Sequence, residues 1–139
     1  MGTPRGLRNN NPLNVRDNGD KFVGERAVDT DPGFKQFISD AYGYRAAFCV
    51  FGTYLSRGVN TIDKIIKSWA PPQDHNNTEG YINRVAAMSG VGRFQILTAL
   101  SGNEYIKIAT AMCFVENGMQ ANMSDLMQGF MMQTKIRKL

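Results

Sequence analysis

The sequence predicts one α+β domain in which helices dominate and a small β-hairpin lies near the N-terminus. Apolar residues recur at helical spacing from Asp40 onward, whereas the first 39 residues mix turn-forming residues with two short apolar stretches. The 139 residues suit one core, and an apolar content of 42% is enough to fold without metals or disulfides. We therefore expect residues 1–139 to form a single domain.

The N-terminal part is predicted to be a loop followed by the hairpin. Residues 1–20 are rich in Asn, Asp, Gly and Pro, which is typical of turns. Two short strands are expected around Phe22-Val23 and Phe34–Phe37, with a turn through Asp29–Gly33 between them.

The rest of the chain is predicted to be helical. Thr61 and Thr78 are expected to cap the second and third helices, because a hydroxyl oxygen there accepts a hydrogen bond from a backbone amide. Gly90 is expected to close the third helix. A loop or short helix is expected at Phe94–Leu100. The predicted helices run from Asp40 to Arg57, Ile62 to Trp69, Glu79 to Met88, Asn103 to Glu116 and Ser124 to Arg137.

Charge and composition exclude several function classes. A net charge of +4 favours an anionic partner, but it is too small for several phosphate contacts, and no basic stripe with interleaved aromatics exists. We therefore expect no nucleic-acid partner. No run reaches transmembrane length and the N-terminus lacks the apolar stretch of a signal peptide, so we expect no membrane insertion. One histidine and two scattered cysteines make no zinc ligand set, and we predict neither metal nor cofactor.

Glu116 is the leading candidate for a catalytic residue. Gly118 ends its helix, so the carboxylate lies at a helix end, with one side desolvated and the other open to a cleft. Desolvation raises the pKa of a carboxyl group, which a general acid near neutral pH requires. The alternative is a helix-end glutamate whose carboxylate reaches water. Apolar residues precede it at helical spacing: Cys113, Met112, Ala109, Ile108 and Tyr105.

Four segments, in order, resemble small phage and prophage proteins related to lysozymes. The opening GLRNNNPLNVR resembles their GLRNNNPGNIR-type motif, although Leu13 stands where glycine is frequent in that family. The segments are Gly6–Arg16, Phe37–Ala46, Trp69–Ile82 and Val115–Gly118. Their order is also similar to a circular permutation of the site in bacterial glucosaminidases of the lysozyme superfamily.

This resemblance implies a lysozyme-like domain that cleaves the β-1,4 MurNAc–GlcNAc bond of bacterial peptidoglycan, with Glu116 as general acid. The enzyme would be a muramidase or a lytic transglycosylase. Such a protein is made in the cytoplasm of the bacterial host and acts on the cell wall, either from the virion or after release across the membrane. A free endolysin and a particle-bound protein both remain open.

Glu25 is the candidate for a second catalytic carboxylate, on the predicted hairpin that would wall the cleft. Hydrolases usually need two carboxylates, whereas lytic transglycosylases often act with one. The alternative for Glu25 is a solvent-facing strand residue paired with Arg26 or Lys35. The sequence leans towards this alternative, and so towards a lone acid.

Five residues are candidates for substrate binding. Asn10, Asn11 and Asn14 carry amides that suit N-acetyl groups and hydroxyls, although asparagines of this kind also bond the backbone of turns. The resemblance implies that Tyr81 bonds the catalytic glutamate; its alternative is a core tyrosine. Tyr42 is suited to stacking on a sugar ring, or to the core.

A second function class stays open beside the enzyme. The chain could serve as a structural tail or internal component of a virion, with little or no activity and other virion proteins as partners. The distinguishing feature is whether Glu116 has polar partners at an open groove or is packed shut.

Overall fold

The computed structural model describes residues 3–137, with side chains described as far as Gln133. A short 3-10 helix, Pro72–Asp74, joins two of the α-helices. The α-helices are α1 (Arg5–Arg8), α2 (Asp40–Ser56), α3 (Ile62–Trp69), α4 (Thr78–Ser89), α5 (Asn103–Asn117) and α6 (Met123–Arg137).

The predicted α+β class is wrong, because no β-hairpin forms and the described chain is essentially all-α. Its strand pairing is limited to two isolated bridges, Arg16 with Phe34 and Glu25 with Phe37. Side chains take the backbone groups that a ladder would use: the Asn11 amide donates to the carbonyl of Lys35 at 2.9 Å. The two predicted strands, of two and four residues, were too short to impose a sheet against this competition.

The helix boundaries follow local chemistry closely. Thr61 caps α3 by accepting from the Lys64 amide, as predicted, and Gly90 ends α4 in the left-handed conformation with φ of 75°. The predicted cap of α4 was wrong by one residue. Asn77 accepts from the Gly80 amide, while the Thr78 hydroxyl donates to the carbonyl of Ala70 at 2.6 Å.

One further segment differs from the expectation, and another resolves an open alternative in favour of a loop. Helix α1 forms inside the predicted N-terminal loop, directly after Pro4, whose fixed φ suits a position just before a helix. The segment Phe94–Leu100 contains no helix. No helix within residues 3–137 combines the length and apolar character needed to span a membrane.

The core lies between the helices. Helix α2 packs along α6, α4 packs on α5, and α3 packs on α4. The α2–α6 contact is close because Gly129 has no side chain; a Cβ there would lie 2.6 Å from the carbonyl oxygen of Ala41. The aromatic centre of the core consists of Phe51, with the rings of Trp69 and Tyr105 at 5.2 and 6.0 Å from its centroid.

The N-terminal segment is fastened over the end of α5 by side chains of the helical part. The Asn117 amide donates to the carbonyl of Pro12 at 2.7 Å, and the Trp69 indole donates to that of Leu13 at 2.9 Å. Leu13 is itself fully buried. These contacts determine where the next residue, Asn14, presents its side chain.

Candidate functional site

Glu116 lies in the last turn of α5 and both of its carboxylate oxygens accept hydrogen bonds. The Asn14 amide donates to Oε1 at 2.7 Å, and the Tyr81 hydroxyl donates to Oε2 at 2.8 Å. These two donors are 102 and 35 residues away in sequence. The structure thus brings together three of the candidate residues, Asn14, Tyr81 and Glu116, as the sequence analysis expected. The roles of these residues in catalysis and binding stay predictions.

Burial raises the pKa of Glu116 above its ordinary value. The hydrogen bonds from Asn14 and Tyr81 and the positive charge of Arg16 act in the opposite direction without cancelling this effect. Burial and the neighbouring Glu116 raise the pKa of Tyr81 as well, so its hydroxyl keeps its proton and remains a donor. The site therefore holds a carboxyl group that keeps its proton to higher pH than an exposed glutamate.

The turn that carries Asn14 is held in shape by Asn11. Asn14 adopts φ of 56°, a left-handed conformation that asparagine tolerates better than most residues. The side chain of Asn11 accepts from the Val15 amide at 2.8 Å and donates to the Val15 carbonyl at 2.9 Å. These two bonds fix the backbone directly after Asn14. The Asn14 side chain is therefore held in the orientation in which its amide donates to Glu116.

Asn10 and Asn11 were candidates for sugar contacts, and in the structure both amides bond backbone groups of the protein. Asn11 is fully buried and its amide bonds only backbone groups, so it is not accessible to a ligand. Asn10 has φ of 51° and donates to the carbonyl of Phe37 at 3.3 Å. The turn-forming alternative, in which the side chain bonds nearby backbone, describes the contacts of Asn11 with Val15. Asn10 instead bonds a backbone group 27 residues away, and its role in substrate binding stays a prediction.

Glu25 is committed to a buried cation instead of to Glu116. Its carboxylate accepts from the Phe22 amide at 2.6 Å and lies 3.3 Å from the ammonium of Lys35, which is fully buried. Among the described side chains, the charged group that acts on the pKa of Glu116 is Arg16, a cation. The arrangement therefore presents Glu116 as a single carboxyl group.

Tyr42 packs against the backbone of Gly24. A Cβ at Gly24 would lie 2.3 Å from the Tyr42 ring, and Gly24 has φ of 87°. The positive φ and the close approach of the ring both require a residue without a side chain at position 24. No hydrogen bond joins Tyr42 to Glu116 among the described residues, and a role of Tyr42 in substrate binding stays a prediction.

A cavity of about 170 Å³ opens beside Asn14. Its walls include the rings of Tyr54 and Trp69, which stand perpendicular at 6.3 Å, and the side chain of Arg16, which pairs with Asp74 at 2.8 Å. Sequence reasoning missed Arg16 and Tyr54 as neighbours of the site. Arg16 closes the Asn-rich segment and was detectable there; Tyr54, on α2, carried no local signal.

Gly6 was also missed, and it permits the closest approach in the site. A Cβ at Gly6 would lie 2.6 Å from Oδ1 of Asn117 and 3.2 Å from Oδ1 of Asn14. A side chain there would displace Asn14, which bonds Glu116, and Asn117, which fastens Pro12 to α5. No group of three potential metal ligands occurs in the described part of the chain.

Comparison with known proteins gives one relevant relationship, and no family model matches the chain. The chain is similar to protein P5 of Pseudoalteromonas phage PM2, with 42% identity over 118 residues that cover 82% of this chain and 71% of P5. This chain belongs to the family of that bacteriophage protein.

Proposed function

We propose that this member of the phage P5 family cleaves the glycan strands of bacterial peptidoglycan, with Glu116 as general acid. The observation that carries the proposal is a glutamate with a raised pKa whose two oxygens are held by Asn14 and Tyr81. Cleavage of a β-1,4 glycosidic bond requires a proton on the leaving oxygen, and an acid of this kind supplies it.

Each partner of Glu116 then has a task. Protonated Glu116 gives its proton to the glycosidic oxygen as the bond to the anomeric carbon breaks. The resulting carboxylate is stabilised by the donors already in place, Asn14 and Tyr81. Because both donors are fixed by the fold, little reorganisation is needed when the charge appears.

The absence of a second carboxylate from the contacts of Glu116 among the described residues favours lytic transglycosylase chemistry. In that reaction the 6-hydroxyl of the MurNAc residue attacks its own anomeric carbon. The Glu116 carboxylate takes the hydroxyl proton, which regenerates the acid and leaves a 1,6-anhydro sugar end. Glu25, paired with Lys35, has no part in this scheme.

The test is a digest of purified peptidoglycan analysed by mass spectrometry. The wild-type protein should release fragments with 1,6-anhydro ends, and reducing ends would instead indicate a muramidase. Glu116→Gln should lose roughly a hundred- to ten-thousand-fold in rate. The matched control is Glu104→Gln, in the first turn of the same helix, which should keep the wild-type rate. A Glu116→Gln protein that digests peptidoglycan normally would refute the proposal.

A second candidate is a structural component of the phage particle that binds other virion proteins. Two observations favour it: the family relationship is to a phage protein, and Glu116 is not among the residues that line the cavity beside Asn14. On this alternative the wild-type protein releases no fragments from peptidoglycan, yet it is recovered in purified particles at a fixed ratio to the coat protein.

A further inference from the structure

A second cavity, of about 350 Å³, lies in the N-terminal region and shares no lining residue with the cavity beside Asn14. Three arginines line it, Arg5, Arg8 and Arg26, together with the single carboxylate of Asp31. Positive charge is therefore in excess at this surface.

Two of the guanidinium groups are anchored through their Nε edge. Arg26 donates from Nε to the carbonyl of Phe37 at 2.8 Å and from Nη2 to that of Arg8 at 3.1 Å. Neutral carbonyls hold the group in place without neutralising its charge. Arg5 pairs through Nε with Asp31 at 3.2 Å, and its guanidinium lies 4.8 Å from the centroid of the Phe34 ring. Both side chains are thus oriented while part of each donor fork is left for another acceptor.

The third guanidinium belongs to Arg8. Its side chain is exposed and makes no hydrogen bond or ion pair with the described residues. The positive charge of Arg8 is repelled by those of Arg5 and Arg26, and solvent or a bound anion must offset this repulsion. This makes Arg8 the side chain most available to a ligand.

The base of the cavity is rigid and polar. Asn9 donates to Asp31 at 2.9 Å, and Gln36 donates to Asn9 at 2.9 Å, with all three side chains buried. Burial opposes ionisation of Asp31, but hydrogen bonds from Asn9 and two backbone amides and the charge of Arg5 outweigh it and lower its pKa. Asp31 therefore stays anionic and offsets one of the three arginines.

We infer that this cavity binds a phosphate monoester group. The excess of two guanidinium charges over Asp31 matches a dianion, whereas a carboxylate would leave one charge unmatched. Arginine donors fit phosphate oxygens in a bidentate manner, and the volume leaves room for the first hydroxyls of the esterified alcohol beside Asn9 and Gln36. The inference is independent of the reaction proposed for Glu116.

The inference can be tested by titration calorimetry at constant ionic strength. Inorganic phosphate and glycerol 3-phosphate represent a soluble ligand, and phosphatidylcholine vesicles with and without phosphatidic acid represent a lipid source. Acetate and chloride are the reference anions. Saturable binding of a phosphate monoester from either source, with no saturable response to acetate, is the expected result.

Three variants locate the binding. Arg8→Gln removes a side chain with no bond to lose in the fold, and Arg26→Lys keeps the charge while losing the fork; each should weaken phosphate binding about tenfold or more. Arg84→Gln, an exposed arginine on α4, is the control for net charge and should bind as the wild type does. Equal weakening in all three variants, or no preference for phosphate over acetate, would overturn the inference.

Discussion

The N-terminal segment, residues 3–39, and the helical part, residues 40–137, are stabilised in different ways. The helical part buries aromatic and aliphatic side chains between helices, as around Phe51. The N-terminal segment is held by asparagine amides that bond backbone groups and by buried charges, above all Lys35. The candidate site lies where the two meet: Asn14 comes from the first region and Glu116 from the second. Geometry at Glu116 therefore depends on a segment that is held both by these polar contacts and by the burial of Leu13 and Val15, the two neighbours of Asn14.

The largest loss of stability in the N-terminal segment is expected when its buried cation is removed. Lys35 is fully buried, bonds the Asp20 carbonyl, and lies 3.3 Å from Glu25 and 3.6 Å from Asp17. Lys35→Met should lower the free energy of unfolding by on the order of 3 kcal/mol, because it leaves partly buried carboxylates unpaired. Urea unfolding measures this, and exposed Lys21→Met is the control. Equal stability of the two variants would show that the cluster does not hold this region.

A second prediction concerns the seam between the regions. Gly6→Ala would place a methyl group 2.6 Å from Oδ1 of Asn117, so the N-terminal segment must shift away from α5. We expect the free energy of unfolding to fall by about 1–3 kcal/mol, which is typical of overpacking. We also expect the proposed peptidoglycan cleavage to slow under conditions where the variant remains folded. Gly33→Ala is the control, since its nearest neighbour would be 3.8 Å away. Unchanged cleavage in Gly6→Ala would argue against the need for this close approach.

The third prediction tests Tyr81 through the pH dependence of cleavage. Its hydrogen bond favours the ionised form of Glu116, so Tyr81→Phe should raise the pKa of that acid further. The general acid then stays protonated to higher pH, so the alkaline limb of the plot of rate against pH should shift to higher pH. The rate at the optimum should fall about tenfold, because one of two positioning contacts is lost. A core tyrosine with no link to the acid would change stability and leave the position of the limb unaltered.

The smallest expected effect is on the stability of the helical part. Because folding raises the pKa of Glu116, the folded state binds this proton more tightly than the unfolded state. That contribution is complete below the unfolded pKa and is lost as pH rises through the folded pKa. Glu116→Gln has no such proton, so its stability relative to wild type should increase across this pH window. Urea unfolding from pH 4 to pH 8 measures the trend, and a decline of this stability difference with pH would contradict the raised pKa.

Helices were the part of the fold that sequence reasoning predicted well. The bounds of α3 agree at both ends, and α2 and α5 begin at the predicted residues, because apolar periodicity and capping residues act within a few positions. The hairpin failed for the opposite reason. Its apolar stretches gave a strand signal, but Asn11 and Lys35 bond across the segment and leave only two bridges.

Local pattern placed Glu116 on an apolar stripe at the end of a helix, and family-like motifs pointed to Asn14 and Tyr81. For Glu116, residue type and spacing were sufficient, since they determine which side of a helix a carboxylate occupies and where that helix stops. Asn14 and Tyr81 were implied by the resemblance alone. The close approach of Gly6 and the arginine cavity depended on contacts between distant segments. For Glu25 the sequence left Arg26 and Lys35 open as partners, and the fold selected Lys35. Such contacts depend on how the N-terminal segment packs against α5. Local periodicity does not encode this packing, because each hydrogen bond there forms only when both partners are already in position.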